Sequence, residues 1–339
     1  MPASPQQFGP DPEDGDLPGG VRTAPPSAPG GLTARVVLSN PPVDRDTAAL
    51  IVNWNTRDLL WSCLKSLDQK DHRRLARIIV VDNDSHDGSA EMVRDEYPSV
   101  GLVQPGCNTG YAAGNNRGLA LVQERYVLLL NPDTEVRAGA LDSLAAFLDV
   151  REACAAVGPQ LVSPDGSVQP SCRSFPSPGA LLADKLGLSI VGRIFPSLGA
   201  YRLSGWAHDT VRRVDQPMGT ALMVRMTAVA DVGLMDEQFP LFFNEVDWLY
   251  RMSAVGWEIW FTPEAKVLHH GGSSTRQVWV KAGWLSHTGL HAFYRKHYRK
   301  RMHPALYALM VAVIYLRAIV TVTARFLARA AALVRGPRT

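Results

Sequence analysis

Residues 127–135 read Val127-Leu128-Leu129-Leu130-Asn131-Pro132-Asp133-Thr134-Glu135, an aliphatic run followed by turn-forming residues. The run predicts a β-strand buried on both faces, which ends before Pro132 because proline has no N–H to donate to a neighbouring strand. Asp133 is therefore expected at the carboxyl edge of a sheet, where open α/β folds bind their ligands. Two interpretations of this acid stay open: it holds a metal ion or a ribose, or residues 131–134 form only an Asx-type turn.

Strand and helix patterns alternate along the chain around this run. The predicted strands are residues 48–54, 77–81, 100–104 and 126–130. The predicted helices are 57–67, 89–96 and 138–148, and residues 110–124 are predicted to carry a glycine-rich turn and a helix. This alternation predicts an α/β fold with a doubly wound, mostly parallel sheet. Polar loops follow the strands, and parallel strands place their carboxyl ends at one edge. We expect these loops to meet there: Asn53 and Asn55, residues 82–85, 108–115 and 131–133.

The usual glycine-rich phosphate cradles are missing from the sequence. No GxGxxG follows the first predicted strand, and no GxxxxGK[ST] occurs. A bound nucleotide would then be held by carboxylates and a metal ion. Asp82 could accept a hydrogen bond from a pyrimidine N–H, or it could be a simple turn or capping residue. Asp133 could ligate a divalent cation that neutralises a diphosphate.

Two further segments in the second half carry candidate chemistry. Glu245 and Asp247 lie two residues apart in an aromatic setting, at the start of a predicted helix near Asn244. The helix dipole favours acids in a first turn whether or not they are catalytic, so a capping role is the alternative. His269 is followed by His270, Gly271 and Gly272 at a predicted strand end. A histidine in that position can ligate a metal, although a lone pair of histidines is more often structural.

Composition and charge divide the chain into an acidic body and a basic tail. The chain has 339 residues, 46% of them hydrophobic and 20% charged, with a net charge of +3. Residues 265–339 hold 13 Lys or Arg and no Asp or Glu, so the other 22 basic residues face all 32 acids over residues 1–264, a net charge of −10. Such asymmetry points to contact with a polyanion or an anionic membrane.

The four cysteines indicate neither a zinc site nor a disulfide framework. Their spacing contains no CxxC and no zinc-ligand pattern, which favours reduced thiols in a cytosolic protein over a disulfide framework. The four are Cys63, Cys107, Cys154 and Cys172.

The two ends of the chain differ from the body. Residues 1–45 are rich in Pro, Gly and Ser without hydrophobic periodicity, which predicts a disordered leader without a signal peptide. Residues 305–316 and 318–324 are apolar and together approach the length of about 20 residues that spans a bilayer.

The polar residues of this tail favour a helix that lies at the membrane surface. Arg317, Thr321, Arg325 and Arg329 recur at every fourth position, the pattern of an interfacial amphipathic helix. The basic cluster at residues 294–301 would add attraction to an anionic membrane surface. A spanning helix and a soluble helix packed on the body are the alternatives. We therefore predict a basic amphipathic or membrane-associated segment over residues 301–339.

Five motifs appear together in the order seen in family 2 glycosyltransferases. They are residues 80–89 (VVDNDSHDGS), 108–116 (NTGYAAGNN), 130–133 (LNPD), 244–248 (NEVDW) and 269–272 (HHGG). The chain resembles the bacterial rhamnosyltransferase-type branch of this family over about residues 47–300. The resemblance implies a GT-A fold over residues 46–300, a nucleotide-sugar donor, a divalent cation (Mg²⁺ or Mn²⁺) and inversion at the anomeric carbon.

The resemblance also implies roles for single residues. Asp133 matches the second acid of the family's DXD motif, while Asn131 stands where the first acid usually lies. His269 matches the metal-side histidine, and Glu245 matches the catalytic base, with Asp247 as a rival. Asp82 matches the contact to the nucleotide base, with Asp84 or Ser85 close by. The donor-binding residues expected are Asn53, Asp82, Asp84, Ser85, Asn108, Gly110, Gly114, Asn115 and Asn131.

The function implied by the resemblance is transfer of a sugar to a glycan or lipid-linked acceptor in cell-surface polysaccharide synthesis. dTDP-rhamnose is the favoured donor, a UDP-sugar is next, and no nucleic acid is expected as a partner. The expected location is the cytoplasmic face of the cell membrane. Two other functions stay open: a sugar-nucleotide nucleotidyltransferase, which would need a basic glycine-rich loop after the first strand, and a non-catalytic membrane-bound carbohydrate-binding protein, which the missing acid at Asn131 would favour.

Overall fold

The computed structural model describes residues 45–67, 70–178, 200–203, 205–271 and 279–335. The predicted leader, residues 1–45, lies outside this part of the chain except for its last residue.

The first half alternates strands and helices as the pattern predicts. The strands are β1 (Thr47–Asn53), β2 (Leu75–Asp82), β3 (Gly101–Val103), β4 (Tyr126–Leu130) and β5 (Thr134–Val136). The helices are α1 (Arg57–Ser66), α2 (Ser89–Glu96), α3 (Tyr111–Leu119) and α4 (Ala140–Asp149).

Within residues 110–124, where a glycine-rich turn and a helix are predicted, the helix α3 ends at Leu119. Beyond it, the buried carboxylate of Glu124 accepts a hydrogen bond of 2.6 Å from Arg77 Nε on β2. A contact between residues 47 positions apart cannot be read from helical periodicity.

The second half adds short strands and longer helices. The strands are β6 (Cys154–Val162), β7 (Cys172–Arg173), β8 (Arg212–Arg213), β9 (Gln216–Pro217), β10 (Ala221–Arg225) and β11 (Glu258–His269). The helices are α5 (Met226–Val232), α6 (Asn244–Ala254), α7 (Trp279–His297) and α8 (Pro304–Arg335), with 3₁₀ turns at Ala200–Arg202 and Arg299–Arg301.

These strands form one mixed sheet in the order β3-β2-β1-β4-β10-β6-β11-β5, with β8 paired to β11. The pairs β3–β2, β2–β1, β1–β4 and β6–β11 are parallel. β10 is inserted antiparallel between β4 and β6, and β5 is antiparallel to β11. The ends of β4 and β11 therefore open towards the same region. β7 and β9 form a separate two-stranded ribbon.

The sheet is covered by helices on both faces, which confirms the doubly wound prediction. Alternate residues of β1 point to opposite layers: Ala49 and Ile51 join the core with α1, α2 and α4, while Leu50 and Val52 join the core with α3, α5 and α6. Side chains of a strand alternate between faces, so a strand apolar at every position must be buried on both.

The C-terminal helices form a pair. α8 packs on α7 through Met310, Ile314 and Ala318, which recur every fourth residue and are 3% exposed or less. The opposite face of α8 is apolar and exposed at Leu309, Leu316, Ile319, Val320 and Phe326. Among the described residues, one helical stretch, Pro304–Ala324, is long and apolar enough to cross a membrane, with a mean hydropathy of 2.1.

Candidate active site

Polar side chains at the ends of β1 and β2 form a closed hydrogen-bond network, which we call the donor rim. Asn53 Nδ2 donates to Asp82 Oδ1 at 2.9 Å and to Ser85 Oγ at 3.1 Å. The Ser85 backbone N–H donates to Asp82 Oδ2 at 3.1 Å. Asp82 is only 1% exposed, so these two hydrogen bonds fix its carboxylate before any ligand arrives. Asp84 lies beside them with its carboxylate partly exposed and a left-handed φ of 66°.

The buried Asn83 ties this rim to the loop before α3. Its Nδ2 donates to Gly110 O at 3.0 Å, and its Oδ1 accepts from Thr109 Oγ1 at 3.1 Å. Gly110 has a φ of 84°, and a Cβ there would lie 2.8 Å from Pro240 O, so only glycine fits. Asn108 Oδ1 accepts from the Gly110 N–H at 3.0 Å. This part of the rim is therefore positioned by backbone geometry.

Gly114 and Asn115, both expected to bind the donor, face the protein interior. A Cβ on Gly114 would lie 2.8 Å from Val52 Cγ1, so the glycine lets α3 approach β1. Asn115 is 1% exposed, and its Nδ2 donates to Tyr111 O within the same helix at 2.9 Å. Both residues therefore take part in packing or hydrogen bonding inside the protein, and their role in donor binding stays a prediction.

A cavity of about 470 Å³, which we call the reaction cavity, lies beyond the end of β4. It brings together three residues singled out by sequence: Asn131, Glu245 and His269. Its other walls come from the β7–β9 ribbon, the loop before β10 and the start of α6. The lining includes Tyr111, Asn131, Ser171, Arg173, Tyr201, Gln216, Met218, Gly219, Thr220, Phe242, Phe243, Glu245, His269 and Ser286.

Asp133 and His269 face each other at the edge of the sheet. His269 Nε2 lies 3.7 Å from Asp133 Oδ2. On the other side of the ring, His269 Nδ1 lies 2.7 Å from Oε1 of Gln169, whose Nε2 donates to His269 O at 3.0 Å. Because an amide oxygen only accepts, Nδ1 carries the proton and Nε2 presents a lone pair to Asp133. Burial lowers the pKa of His269, which favours this neutral form despite the nearby carboxylate.

Two acceptors that face each other at this distance fit a shared cation. The separation of 3.7 Å is short enough for both atoms to reach one ion with bonds of about 2.1 Å. The neighbouring His270 does not join them, since its Nε2 pairs with Glu135 Oε1 at 2.8 Å. Within the described residues, no group of three or more His, Cys, Asp or Glu could hold a metal. A cation here would take its remaining ligands from phosphate oxygens or water.

Glu245 enters the reaction cavity from the first turn of α6. Burial raises the pKa of its carboxyl, while backbone N–H groups of its own helix and the charge of Arg173 act in the opposite direction. Gly219 makes room for it, because a Cβ there would lie 3.2 Å from Glu245 Cγ. Phe243, just before the helix, has a left-handed φ of 69°, a strained conformation that aromatic residues rarely adopt. This strained residue lies in the turn that directs the Glu245 side chain into the cavity.

Asp247 has a different environment although it lies only two residues away. It is completely buried and does not line the reaction cavity. It is met by Arg251 Nε at 2.9 Å, Lys296 Nζ at 2.8 Å and His297 Nε2 at 2.7 Å. Burial alone would raise its pKa, but the hydrogen bonds from His297, Lys296 and Arg251 outweigh that effect and lower it. Asp247 joins α6 to α7.

The cavity wall formed by the ribbon and by the loop before β10 contains no residue that was predicted from the sequence. Arg173 and Gln216 lie on the ribbon, and Tyr111 donates its hydroxyl to Gly219 O at 3.0 Å. The signal that could have found the loop is Gly219-Thr220 directly before the apolar run of β10. Nothing comparable marks Arg173, whose strand has two residues.

A mixed sheet wound on both faces, with the polar ends of its parallel strands at one edge, is the layout of the GT-A fold. A model described as Glycosyl transferase family 2 matches residues 49–199. An N-acetylglucosaminyl-diphospho-decaprenol L-rhamnosyltransferase of Mycobacterium tuberculosis is 32% identical over 216 residues, 60% of this chain and 69% of that protein. The chain belongs to glycosyltransferase family 2.

Other similarities are more distant. The low-salt glycan biosynthesis hexosyltransferase Agl10 of Haloferax volcanii is 22% identical over 213 residues, 61% of each chain. The mannosyltransferase PcManGT from Pyrobaculum calidifontis, solved with GDP-Man and Mn²⁺, has a TM-score of 0.52 at 16% identity, over 88% of this chain and 79% of that one. GalNAc-T7, solved with UDP, GalNAc and Mn²⁺, has a TM-score of 0.50 at 15% identity, over 66% and 43%. These two structures support the fold assignment.

Proposed function

We propose that the chain transfers L-rhamnose from dTDP-rhamnose to N-acetylglucosamine carried on a polyprenyl diphosphate, with inversion. The observation that carries the catalytic part is the arrangement of one cavity, in which Glu245 and His269 line the same space and Asp133 stands behind the histidine. The choice of sugar and acceptor rests on the 32% identical mycobacterial relative.

The donor rim would recognise the nucleotide. Each oxygen of Asp82 accepts one hydrogen bond from the protein, which leaves lone pairs for a pyrimidine N–H. Asn53 and Ser85 hold the carboxylate in place, so little ordering entropy is lost on binding.

Asp133 and His269 would hold a divalent cation against the donor diphosphate. When bound, this ion would supply positive charge for the leaving diphosphate. Asn131 in place of a second acid leaves Asp133 as the single carboxylate of the pair, so the donor phosphates would complete the coordination. Gln169 fixes the ring orientation and the tautomer of His269.

Glu245 would take the proton from the attacking acceptor hydroxyl. The hydroxyl attacks the anomeric carbon on the face opposite the diphosphate, so the configuration inverts. A partly buried carboxylate with a raised pKa is a stronger base than an exposed one, and general-base catalysis of this kind contributes about 10²- to 10⁴-fold. Asp247 would act only as a positioning residue that holds α6.

The direct test is a transfer assay with the purified protein, polyprenyl-diphospho-N-acetylglucosamine and a panel of nucleotide sugars. Rhamnose addition, detected by mass and with inverted configuration, is expected with Mg²⁺ or Mn²⁺. Preferential use of a UDP-sugar would refute the donor, and turnover that survives chelation would refute the cation. A thermal-shift screen of the same donors checks binding independently, because a ligand of the native state raises its melting temperature.

We further propose that α8 holds the enzyme at the cytoplasmic face of the membrane. Its exposed apolar face would enter the interface, while Arg299, Lys300 and Arg301 would meet anionic lipid at about 1 kcal/mol each. Whether the helix lies on the membrane or spans it is a separate question, which protease accessibility of its C-terminus would answer.

A pair of charges on the exposed face tests the attachment. Leu316→Glu with Ile319→Glu should abolish sedimentation with anionic vesicles without unfolding, because both side chains are more than half exposed. Val150→Glu, at a 76% exposed position after α4, is the matched control. A double variant that still sediments with vesicles would contradict the attachment.

A further inference from the structure

A second hollow of about 340 Å³, which we call the lipid groove, adjoins the reaction cavity. Leu241 and Phe242 line both spaces and separate them. The groove continues along α7 and reaches Tyr315 on α8. It therefore leads from the cavity that holds Glu245 towards the helix that we place at the membrane.

The apolar part of the groove lining, which we call its floor, lies beside the polar residues Gln238, Thr288 and His291. Leu285, Gly289 and Ala292, on one side of α7, form it. Gly289 has little space for a side chain, since a Cβ there would lie 3.1 Å from Phe243 Cδ2 and 3.2 Å from Phe242 O. This contact packs α7 against the strained turn before Glu245, so the groove and the cavity share one rigid wall.

The charge of the groove is positive. Arg295 lines it at an exposed position, and no acid is among its described lining residues. His291 joins the two helices at its end, with Nδ1 2.9 Å from Tyr315 Oη and Nε2 3.2 Å from Tyr307 Oη. An apolar floor beside an arginine fits a ligand that joins a hydrocarbon chain to a phosphate group.

We infer that the lipid groove binds the first isoprenoid units and the diphosphate of the lipid-linked acceptor. The inference rests on the proposed function and adds the path of the acceptor: hydrocarbon on Leu285 and Ala292, phosphate at Arg295, sugar past Phe242 towards Glu245. The continuity of groove and cavity, the positive charge, and the exposed apolar face of α8 support this occupant over a water-soluble one.

The test compares two acceptors that differ only in the lipid. Both are N-acetylglucosamine diphosphates, one with a farnesyl group and one with a methyl group. Thr288→Trp fills the groove from α7, and the Thr288 hydroxyl bonds only to backbone oxygens of its own helix. Lys281→Trp, at an exposed position of α7 outside the groove, is the matched control.

Thr288→Trp is expected to raise the KM for the farnesyl acceptor about tenfold, because the lipid loses its apolar contact, and to leave the methyl acceptor and dTDP-rhamnose unchanged. Arg295→Gln should weaken both acceptors, since each keeps the diphosphate. Lys281→Trp should behave as wild type. An unchanged KM for the farnesyl acceptor in Thr288→Trp would overturn the inference, and so would an equal loss for both acceptors.

Direct binding separates this inference from the proposed function. If the wild-type protein transfers to neither acceptor, the proposed function fails, but farnesyl diphosphate should still raise the melting temperature of wild type and not of Thr288→Trp. Equal shifts in both proteins would overturn the groove. A Thr288→Trp protein that loses vesicle binding with normal acceptor KM would assign the groove to bilayer lipid, which also overturns it.

Discussion

The donor rim and the reaction cavity differ in how their polar side chains are hydrogen-bonded within the protein. In the rim, Asn53, Asp82 and Ser85 bond to one another, so the carboxylate is fixed before a ligand arrives. In the cavity, Glu245 is met by backbone N–H groups of its own helix, and the buried Gln216 Oε1 has no partner among the described residues. Buried polar groups without partners are costly, so they persist where a substrate will supply the missing bonds. We therefore expect the rim to serve recognition and the cavity to serve the chemistry.

Glu245 and Asp247 give the largest expected contrast, because one belongs to the cavity and the other to the protein interior. Glu245→Gln should lower kcat by about 10²- to 10⁴-fold. It should also raise stability at neutral pH: the pKa of Glu245 is raised in the folded state, so ionisation disfavours folding once the pH exceeds the unfolded pKa. Turnover and denaturant unfolding of the same preparations measure both effects.

Asp247→Asn should behave in the opposite manner. Its buried carboxylate forms ion pairs with Arg251, Lys296 and His297. Loss of the charge should lower the free energy of unfolding by about 3 kcal/mol. The pKa of Asp247 is lowered by folding, so its stabilisation is present above the unfolded pKa and lost as the pH falls. A stable Asp247→Asn protein without turnover would instead place Asp247 in the chemistry.

The Asp133–His269 pair gives the next largest effect. Gln169→Leu removes the partner that orients His269 and should weaken Mn²⁺ activation about 10- to 100-fold, the usual effect of losing such a support. Glu135→Gln, which touches only the adjacent His270, is the control and should leave Mn²⁺ activation unchanged. If the two variants responded alike, the cation would not be bound at His269.

A smaller effect is expected in the rim. Asp82→Asn should raise the KM for dTDP-rhamnose about tenfold, because a hydrogen bond to a charged group contributes about 1.5 kcal/mol or more. Asp84→Asn should change it less, since that carboxylate is partly exposed. Steady-state kinetics at saturating acceptor measure both. A larger effect at Asp84 would indicate that Asp84, and not Asp82, contacts the nucleotide base.

The smallest effect is a shift of the pH profile. As the proposed base, Glu245 must be ionised to act, so we expect kcat/KM to fall as the pH drops through its raised pKa. Arg173 opposes that rise, and Arg173→Met should therefore move the acid limb to higher pH. An unchanged acid limb in Arg173→Met would mean that the ionisation of another group determines it.

The parts that sequence predicts well are those with local causes. β1 and β4 are apolar at nearly every position, and Pro132 ends the second run, so their existence and burial follow from composition. β10 was not predicted, although its run is just as apolar, because its antiparallel place between β4 and β6 depends on the whole sheet. The ribbon is shorter still, and its pairing has no periodicity to detect.

The same limit applies to the site. The motif spacing singled out Asp133, Glu245 and His269, but it could not choose between Glu245 and Asp247. The groups that distinguish them, Lys296 and His297, come from α7, about fifty residues along the chain. Burial and partner charge decide the role of an acid, and both depend on tertiary packing.

The division of work between rim and cavity is tested most directly by measuring dTDP affinity and turnover for Glu245→Gln and Asp82→Asn side by side. Glu245→Gln should bind dTDP as wild type does and lose turnover by about 10²-fold or more. Asp82→Asn should lose dTDP affinity and keep its turnover at saturating donor. Normal turnover in Glu245→Gln, or an equal loss of dTDP affinity in both variants, would contradict the account.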